Sequence, residues 1–142
     1  MAEQRGHTFM LEVVTPQRLI ISEEVEELVA PGQEGYFGVW PGHTPFMTTL
    51  KIGEFSYTRG RKERFLAVNW GYVEVRPDKV IVLAESAERP EEIDVARAEQ
   101  ARARAEERLR HFGDEAIDHA RAQAALERAL ARMAVAAKGR SS

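Results

Sequence analysis

The sequence predicts an α+β protein: an N-terminal antiparallel β-sandwich over residues 1–89, followed by a C-terminal antiparallel two-helix hairpin over residues 90–142. Three observations predict it. Ten of the eleven aromatic residues precede Pro90, as do eight of the ten glycines. Fifteen alanines fall between Ile93 and Ala137, with Arg and Glu filling most of the rest. In the first part, turn signals recur about every 8 to 12 residues between short apolar runs. Aromatic, β-branched and glycine-punctuated sequence suits twisted strands joined by tight turns. Ala, Leu, Arg and Glu lose little side-chain freedom in a helix.

Residues 8–14 read as the first strand, ended at Thr15-Pro16-Gln17-Arg18, where proline presets a turn. Residues 19–22 and 25–30 read as two short strands parted by Glu23-Glu24. The turn Pro31-Gly32-Gln33-Glu34-Gly35 leads into residues 36–40, and strands 46–50 and 54–58 flank Gly53. Arg59-Gly60-Arg61-Lys62 is a polar hairpin tip. Residues 64–69 pass through Trp70-Gly71 into 72–75, and Arg76-Pro77-Asp78-Lys79 turns the chain into 80–84. Phe9, Phe55, Phe65 and Tyr72 are expected in the core.

Pro90 followed by Glu91-Glu92-Ile93-Asp94 marks a helix start, with negative charge where the helix dipole favours it. That helix is expected to reach about Arg110, with Gly113 as the residue that ends it. A second helix is expected over residues 116–137, and the short connection makes the two antiparallel neighbours. Alanines 98, 101 and 105 are expected to face alanines 120, 124 and 131. Such a seam buries little apolar area, so the hairpin reads as marginal alone and able to change shape.

The charge balance argues against a nucleic-acid partner: 10 basic against 13 acidic residues through position 90, and 10 against 10 afterwards. Cysteine is absent, which removes disulfides and thiolate chemistry. No apolar run approaches the roughly 20 residues that span a bilayer, and the opening Met-Ala-Glu-Gln-Arg lacks a signal-peptide core. The expectation is a soluble chain that meets a membrane only through a partner. His7, His43, His111 and His119 show no metal-ligand spacing. No Ser, Asp or second His supports His43 as a base, so no catalytic residue and no required cofactor are expected.

The segment Glu34-Gly35-Tyr36-Phe37-Gly38-Val39-Trp40-Pro41-Gly42-His43-Thr44-Pro45-Phe46 is a strand ending in a sharply shaped loop with aromatics near the surface. Together with Asn69-Trp70-Gly71-Tyr72-Val73-Glu74-Val75-Arg76-Pro77-Asp78-Lys79-Val80 and Ile93-Asp94-Val95-Ala96-Arg97-Ala98, it resembles the epsilon subunits of bacterial F-type ATP synthases, delta in mitochondria. The resemblance implies a non-catalytic central-stalk subunit on the cytoplasmic face of the plasma membrane. Its sandwich would contact the gamma subunit and the ring of c subunits. Its hairpin would lie folded or extend along gamma toward the alpha/beta catalytic head and restrain ATP hydrolysis. Pro41, His43 and Thr44 match the gamma-facing loop, and Glu34, Tyr36 and Phe37 the loop that meets the c ring. Several relatives carry an acidic residue where this chain has Tyr36, which replaces an ion pair by an aromatic contact.

Two arginine ridges complete the reading. Arg97, Arg104 and Arg108, and again Arg121, Arg128 and Arg132, are spaced i, i+7, i+11, so each trio lies within about 40° of one line on its helix. Arg128 and Arg132 have no acid three or four positions away and are expected to be unpaired. In one reading, which the resemblance implies, the extended arm lays Arg121, Arg128 and Arg132 against an acidic surface of the catalytic head. In the other, the folded arm captures the phosphates of ATP. The same family resemblance implies a regulatory ATP site: Ile93, Asp94, Arg97 and Ala98 match its Ile/Leu-Asp-x-x-Arg-Ala motif. Glu88, Arg104, Arg121, Arg128 and Arg132 match its supporting positions. Two rival readings are a free-standing ATP sensor and a small sandwich enzyme using His43 under a helical lid.

Overall fold

The computed structural model describes residues 7–111 and 116–140. Eight strands come first: β1 (Phe9–Val14), β2 (Leu19–Val25), β3 (Glu27–Gly32), β4 (Gly35–Val39), β5 (Phe46–Leu50), β6 (Gly53–Arg59), β7 (Lys62–Val75) and β8 (Lys79–Glu88). They hydrogen-bond in the order β2-β1-β8-β7-β5-β3-β4, with β6 pairing β3 and β7, and fold over into a sandwich. One pairing departs from the expected antiparallel pattern. β1 and β8 run parallel from Met10↔Lys79 to Val14↔Leu83. A parallel pair needs a long crossover, and the whole run from β2 to β7 supplies it.

The sandwich is made by a corner in β7. Its first half pairs with β6, ending at Gly53↔Val68, and its second half pairs with β5 from Leu50↔Gly71 onward. Between them Trp70 and Gly71 have φ of 42° and 152°. A Cβ on Gly71 would lie 1.8 Å from the Leu83 carbonyl oxygen, so only glycine fits the bend. Leu66 and Val68 are buried before the corner, Val73 and Val75 after it: the inward parity of the strand flips. In β8 the buried set shifts likewise, from Val80, Val82 and Ala84 to Ala87. The flip explains a misplaced expectation. Tyr72 is turned outward and 57% exposed rather than in the core. Phe9 and Phe55 are core residues, packed with Leu11, Val13, Leu28 and Val82.

A 3₁₀ turn, Pro90–Glu92, joins the sandwich to α1 (Val95–Arg110) and α2 (Ala116–Arg140). The helix proper thus starts later than Pro90. Asp94 is its N-cap, its carboxylate accepting the Arg97 backbone N–H at 3.1 Å. Residues 112–115, including Gly113, lie outside the described residues. α2 lies on the sandwich, against β7 and β6, and α1 packs chiefly on α2. Ala98 and Ala105 of α1 are buried, as are Ala122 and Ala129 of α2, a seven-residue stripe on each helix. Of the alanines expected to line this seam, Ala120 is exposed and Ala101 and Ala124 are only partly buried. A helix carrying alanine at so many positions has no phase that composition alone reveals.

Candidate functional site

Three surfaces are candidates for function, two of them carrying side chains singled out above. The first is the outer face of the layer β2-β1-β8-β7-β5. Register places Leu19, Val14, Leu83, Tyr72 and Thr49 in one row across five strands. Leu83 is 51% exposed, and Met47, two residues from Thr49 on β5, is 64% exposed. No described element covers this apolar row. Next to it in sequence runs the 41–45 loop ahead of β5. There His43 Nδ1 lies 2.9 Å from the Thr44 carbonyl oxygen, which it must address as a donor. The His43 ring packs 5.3 Å from Phe46, whose other contact is edge-on to Phe37 at 5.6 Å. His43 is a shaped loop residue here, with no acid oriented behind it among the hydrogen bonds of the described residues. Pro41 is half-buried and Thr44 exposed.

At the other end of β4 is the turn between β3 and β4. Glu34 and Tyr36 are exposed there, while Phe37 is half-buried and shapes the tip from within. Pro31 and Gly32 at the end of β3 are buried. The Tyr36 hydroxyl accepts the backbone N–H of Glu54 at 3.1 Å, so the tyrosine leans across the start of β6.

The second surface is a cleft of about 270 Å³ between the end of β8, the 3₁₀ turn and both helices, lined by Glu88, Glu92, Asp94, Arg97, Ala98 and Arg132. The structure thus brings together five of the nine residues of the expected nucleotide set, two of them arginines. Arg132 is not unpaired: its Nε donates to Glu88 Oε1 at 2.6 Å, a partner 44 positions away in the chain. Arg128 lines a small neighbouring space with Asn69, Ser86 and Glu88. Ile93 is buried with Val135 and Ala136 and serves packing. Arg104 and Arg121 are exposed and line neither space. Asp94 is engaged as a cap, not in a side-chain ion pair with Arg97. Glu92 ties the cleft's base down: it accepts the Arg89 N–H at 2.8 Å and an Arg18 guanidinium N–H at 2.6 Å. Those contacts, the Arg89 backbone bond first, hold its carboxyl below the usual carboxylate range.

The third surface is the seam under α2, which the sequence did not mark. Val135 and Ala136 pack on Ala67 and Ile93, with Phe65 and Val95 at the margin. Phe65, expected in the sandwich core, is therefore half-buried beneath the hairpin instead. Lys138 Nζ donates to Glu54 Oε1 at 2.5 Å and stands 5.2 Å over the Phe65 ring. The hydrogen bond to Glu54 raises the lysine above its ordinary value of 10.5. Gly139 lies where a Cβ would come within 2.2 Å of the Pro90 Cβ. At about 2 kcal/mol for each buried large aliphatic side chain, the apolar part of this seam amounts to a few kcal/mol. Among the described residues no group of three or more His, Cys, Asp or Glu side chains could hold a metal ion. No described helix is long and apolar enough to cross a membrane.

Comparison with known proteins matches both parts of the chain. Residues 8–90 match the family described as ATP synthase, Delta/Epsilon chain, beta-sandwich domain, and residues 91–137 its long alpha-helix domain. The chain is 54% identical over 129 residues to ATP synthase epsilon chain 2 of Syntrophotalea carbinolica, covering 91% of this chain and 94% of that one. With the ATP synthase epsilon chain of Geotalea uraniireducens it shares 52% identity over 128 residues, 90% of this chain and 93% of the other. In fold it is similar to a chain in the cryo-EM structure of the Euglena gracilis mitochondrial ATP synthase OSCP/F1/c-ring. There the TM-score is 0.75 and the identity 24%, over 85% of this chain and 76% of that one. A sandwich and a two-helix hairpin, each matched in place and in one order, settle the assignment: the chain belongs to the delta/epsilon chain family of F-type ATP synthases.

Proposed function

We propose that this subunit is a non-catalytic part of the rotor, gripping the gamma subunit and the c ring through its sandwich and restraining ATP hydrolysis through its hairpin. The observation that carries the reading is the uncovered apolar patch of Leu83, Tyr72 and nearby Met47 on one outer face of the sandwich. Contiguous exposed apolar surface on a small domain marks a partner site. The 41–45 loop adds a rigid, ring-packed rim to that face, which suits gamma. The exposed Glu34 and Tyr36 form a separate tip, which suits the c ring. Membrane association then comes through the complex, on the cytoplasmic side. Gel filtration with purified gamma subunit tests this reading. Co-elution of a one-to-one complex is expected, and two separate peaks at micromolar concentration overturn it.

The regulatory half of the reading rests on how lightly α2 is seated. A seam of a few kcal/mol can be traded for contacts elsewhere, such as an acidic surface on the alpha/beta head. A nucleotide supports the docked state in this reading. The cleft lined by Asp94, Arg97 and Arg132 is smaller than most ligand pockets, and Arg132 is held by Glu88. ATP entry is therefore an exchange, in which phosphate oxygens replace the Glu88 carboxylate on the Arg132 guanidinium. Calorimetric titration of the full chain with ATP checks it. Arg97→Ala is expected to abolish the heat, whereas Glu88→Gln is expected to change affinity by less than about ten-fold, since an exposed pair contributes little. No heat at millimolar ATP in the unmodified chain removes the nucleotide from the mechanism.

A further inference from the structure

The start of β6 touches two parts of the molecule that are far apart in sequence. Its second residue, Glu54, donates its backbone N–H to the hydroxyl of Tyr36 on the β3–β4 tip. The carboxylate of the same residue accepts Lys138 from the last turn of α2. The approach is close enough to constrain the sequence. A Cβ on Gly53 would lie 2.6 Å from the Tyr36 hydroxyl oxygen and 3.0 Å from the Pro31 Cβ. Between tip and helix runs a groove of about 630 Å³, with Gln33, Tyr36 and Ile52 on one side and Glu127, Leu130 and Ala134 on the other. Tyr36 remains 59% exposed, so a partner can reach its ring while its hydroxyl stays fixed to β6.

We propose that the Tyr36–Glu54–Lys138 chain couples the tip to the docked hairpin, so that a partner seizing Tyr36 loosens the last turns of α2. The inference rests on the reading of the tip as a partner contact and names how that contact would regulate the hairpin. A partner that draws Tyr36 toward itself removes the acceptor of the Glu54 N–H. The first residues of β6 are then less fixed, and the carboxylate that receives Lys138 is no longer pre-positioned. Lys138 depends on that positioning, because an exposed ion pair contributes only when its geometry is held in advance. The same ammonium group stands over the Phe65 ring, so its ion pair and its cation–π contact weaken together.

The test is amide hydrogen exchange of residues 132–139 in the full chain, for Tyr36→Phe, Lys138→Met and the double variant, with thermal melts confirming that each is folded. Tyr36→Phe keeps the ring and removes only the hydroxyl. It is expected to raise exchange in that segment about two- to three-fold, the size of one exposed hydrogen bond lost. Lys138→Met is expected to raise it by at least as much, and the double variant no further than Lys138→Met alone. Exchange unchanged by Tyr36→Phe overturns the coupling, and so does a double variant whose effect is the product of the two single effects. Tyr36→Ala assayed for pull-down by isolated c ring is the separate arm. If Tyr36→Phe moves the helix but Tyr36→Ala leaves c-ring binding intact, the coupling stands and the partner reading of the tip fails.

Discussion

The two outer faces of the sandwich share strands β7 and β8 and are treated in opposite ways. One face, around Phe65 and Ala67 in the first half of β7, is roofed by α2. The other, around Tyr72 in the second half of the same strand and Leu83 of β8, exposes large apolar side chains and has no roof among the described residues. The open face presents Tyr72, Leu83 and Met47 to solvent, while the roofed face seats the helix on Phe65, Ala67 and Ile93. Small residues on the roofed side (Ala67, Ala136, Gly139) limit how much area the helix buries.

The largest test of this contrast is to charge the open face. Tyr72→Glu with Leu83→Glu is expected to weaken binding to gamma by at least about 100-fold, the scale of losing two buried anchors. The melting temperature of the isolated chain should move by less than about 3 °C, because both side chains already face solvent. Equal binding, measured by surface plasmon resonance, breaks the comparison. On the roofed face a single methyl-bearing side chain suffices. Gly139→Val drives its Cβ into Pro90 and is expected to cost the docked state about 1–3 kcal/mol. A fluorescence pair between α2 and β6 should then report separation while the sandwich stays folded.

The smallest effects come from pH, and they act on opposite ends of the seat. Glu92 has its folded value depressed, so its contribution is complete above the ordinary carboxylate value of 4.5 and is lost as pH falls through the lower folded value. Lys138 is raised, so its contribution is complete below 10.5 and is lost as pH rises through the higher docked value. Both groups are partly solvated, and each effect should be under about 1 kcal/mol. The same fluorescence pair is expected to report a plateau between these limits. Lys138→Met should abolish the alkaline limb and leave the acid limb unchanged.

Strand positions were legible because apolar and polar residues alternate with few exceptions, as in β1, where Phe9, Leu11 and Val13 are buried in turn. The break read at Glu23-Glu24 is absent: β2 continues to Val25, since Glu23 and Glu24 pair by backbone with Leu11 and Met10 regardless of their charge. β8 outruns the expected strand by four residues for the same reason, its last turns pairing Ser86, Ala87 and Glu88 with β7. Tyr72 was misplaced because the parity flip resides in the backbone angles of Trp70 and Gly71. Of the nucleotide set, the motif around Asp94 and Arg97 was legible as local spacing. The Glu88–Arg132 and Glu54–Lys138 pairs were not, because 44 and 84 positions separate their members. Lys138 carried only the signal of a basic residue ending a helix.

The corner at Trp70 and Gly71 has a mechanical consequence. β7 is a single rail running under both faces, and its hydrogen bonds to β8 continue on both sides of the bend. Under the proposed rotor role, a torsional load applied at Tyr72 would pass along continuous strand pairing to Phe65 and Ala67. In that role the plate bearing the load and the plate seating the helix would be joined through one strand pair. Any swing of the hairpin would fall to the link between β8 and α1.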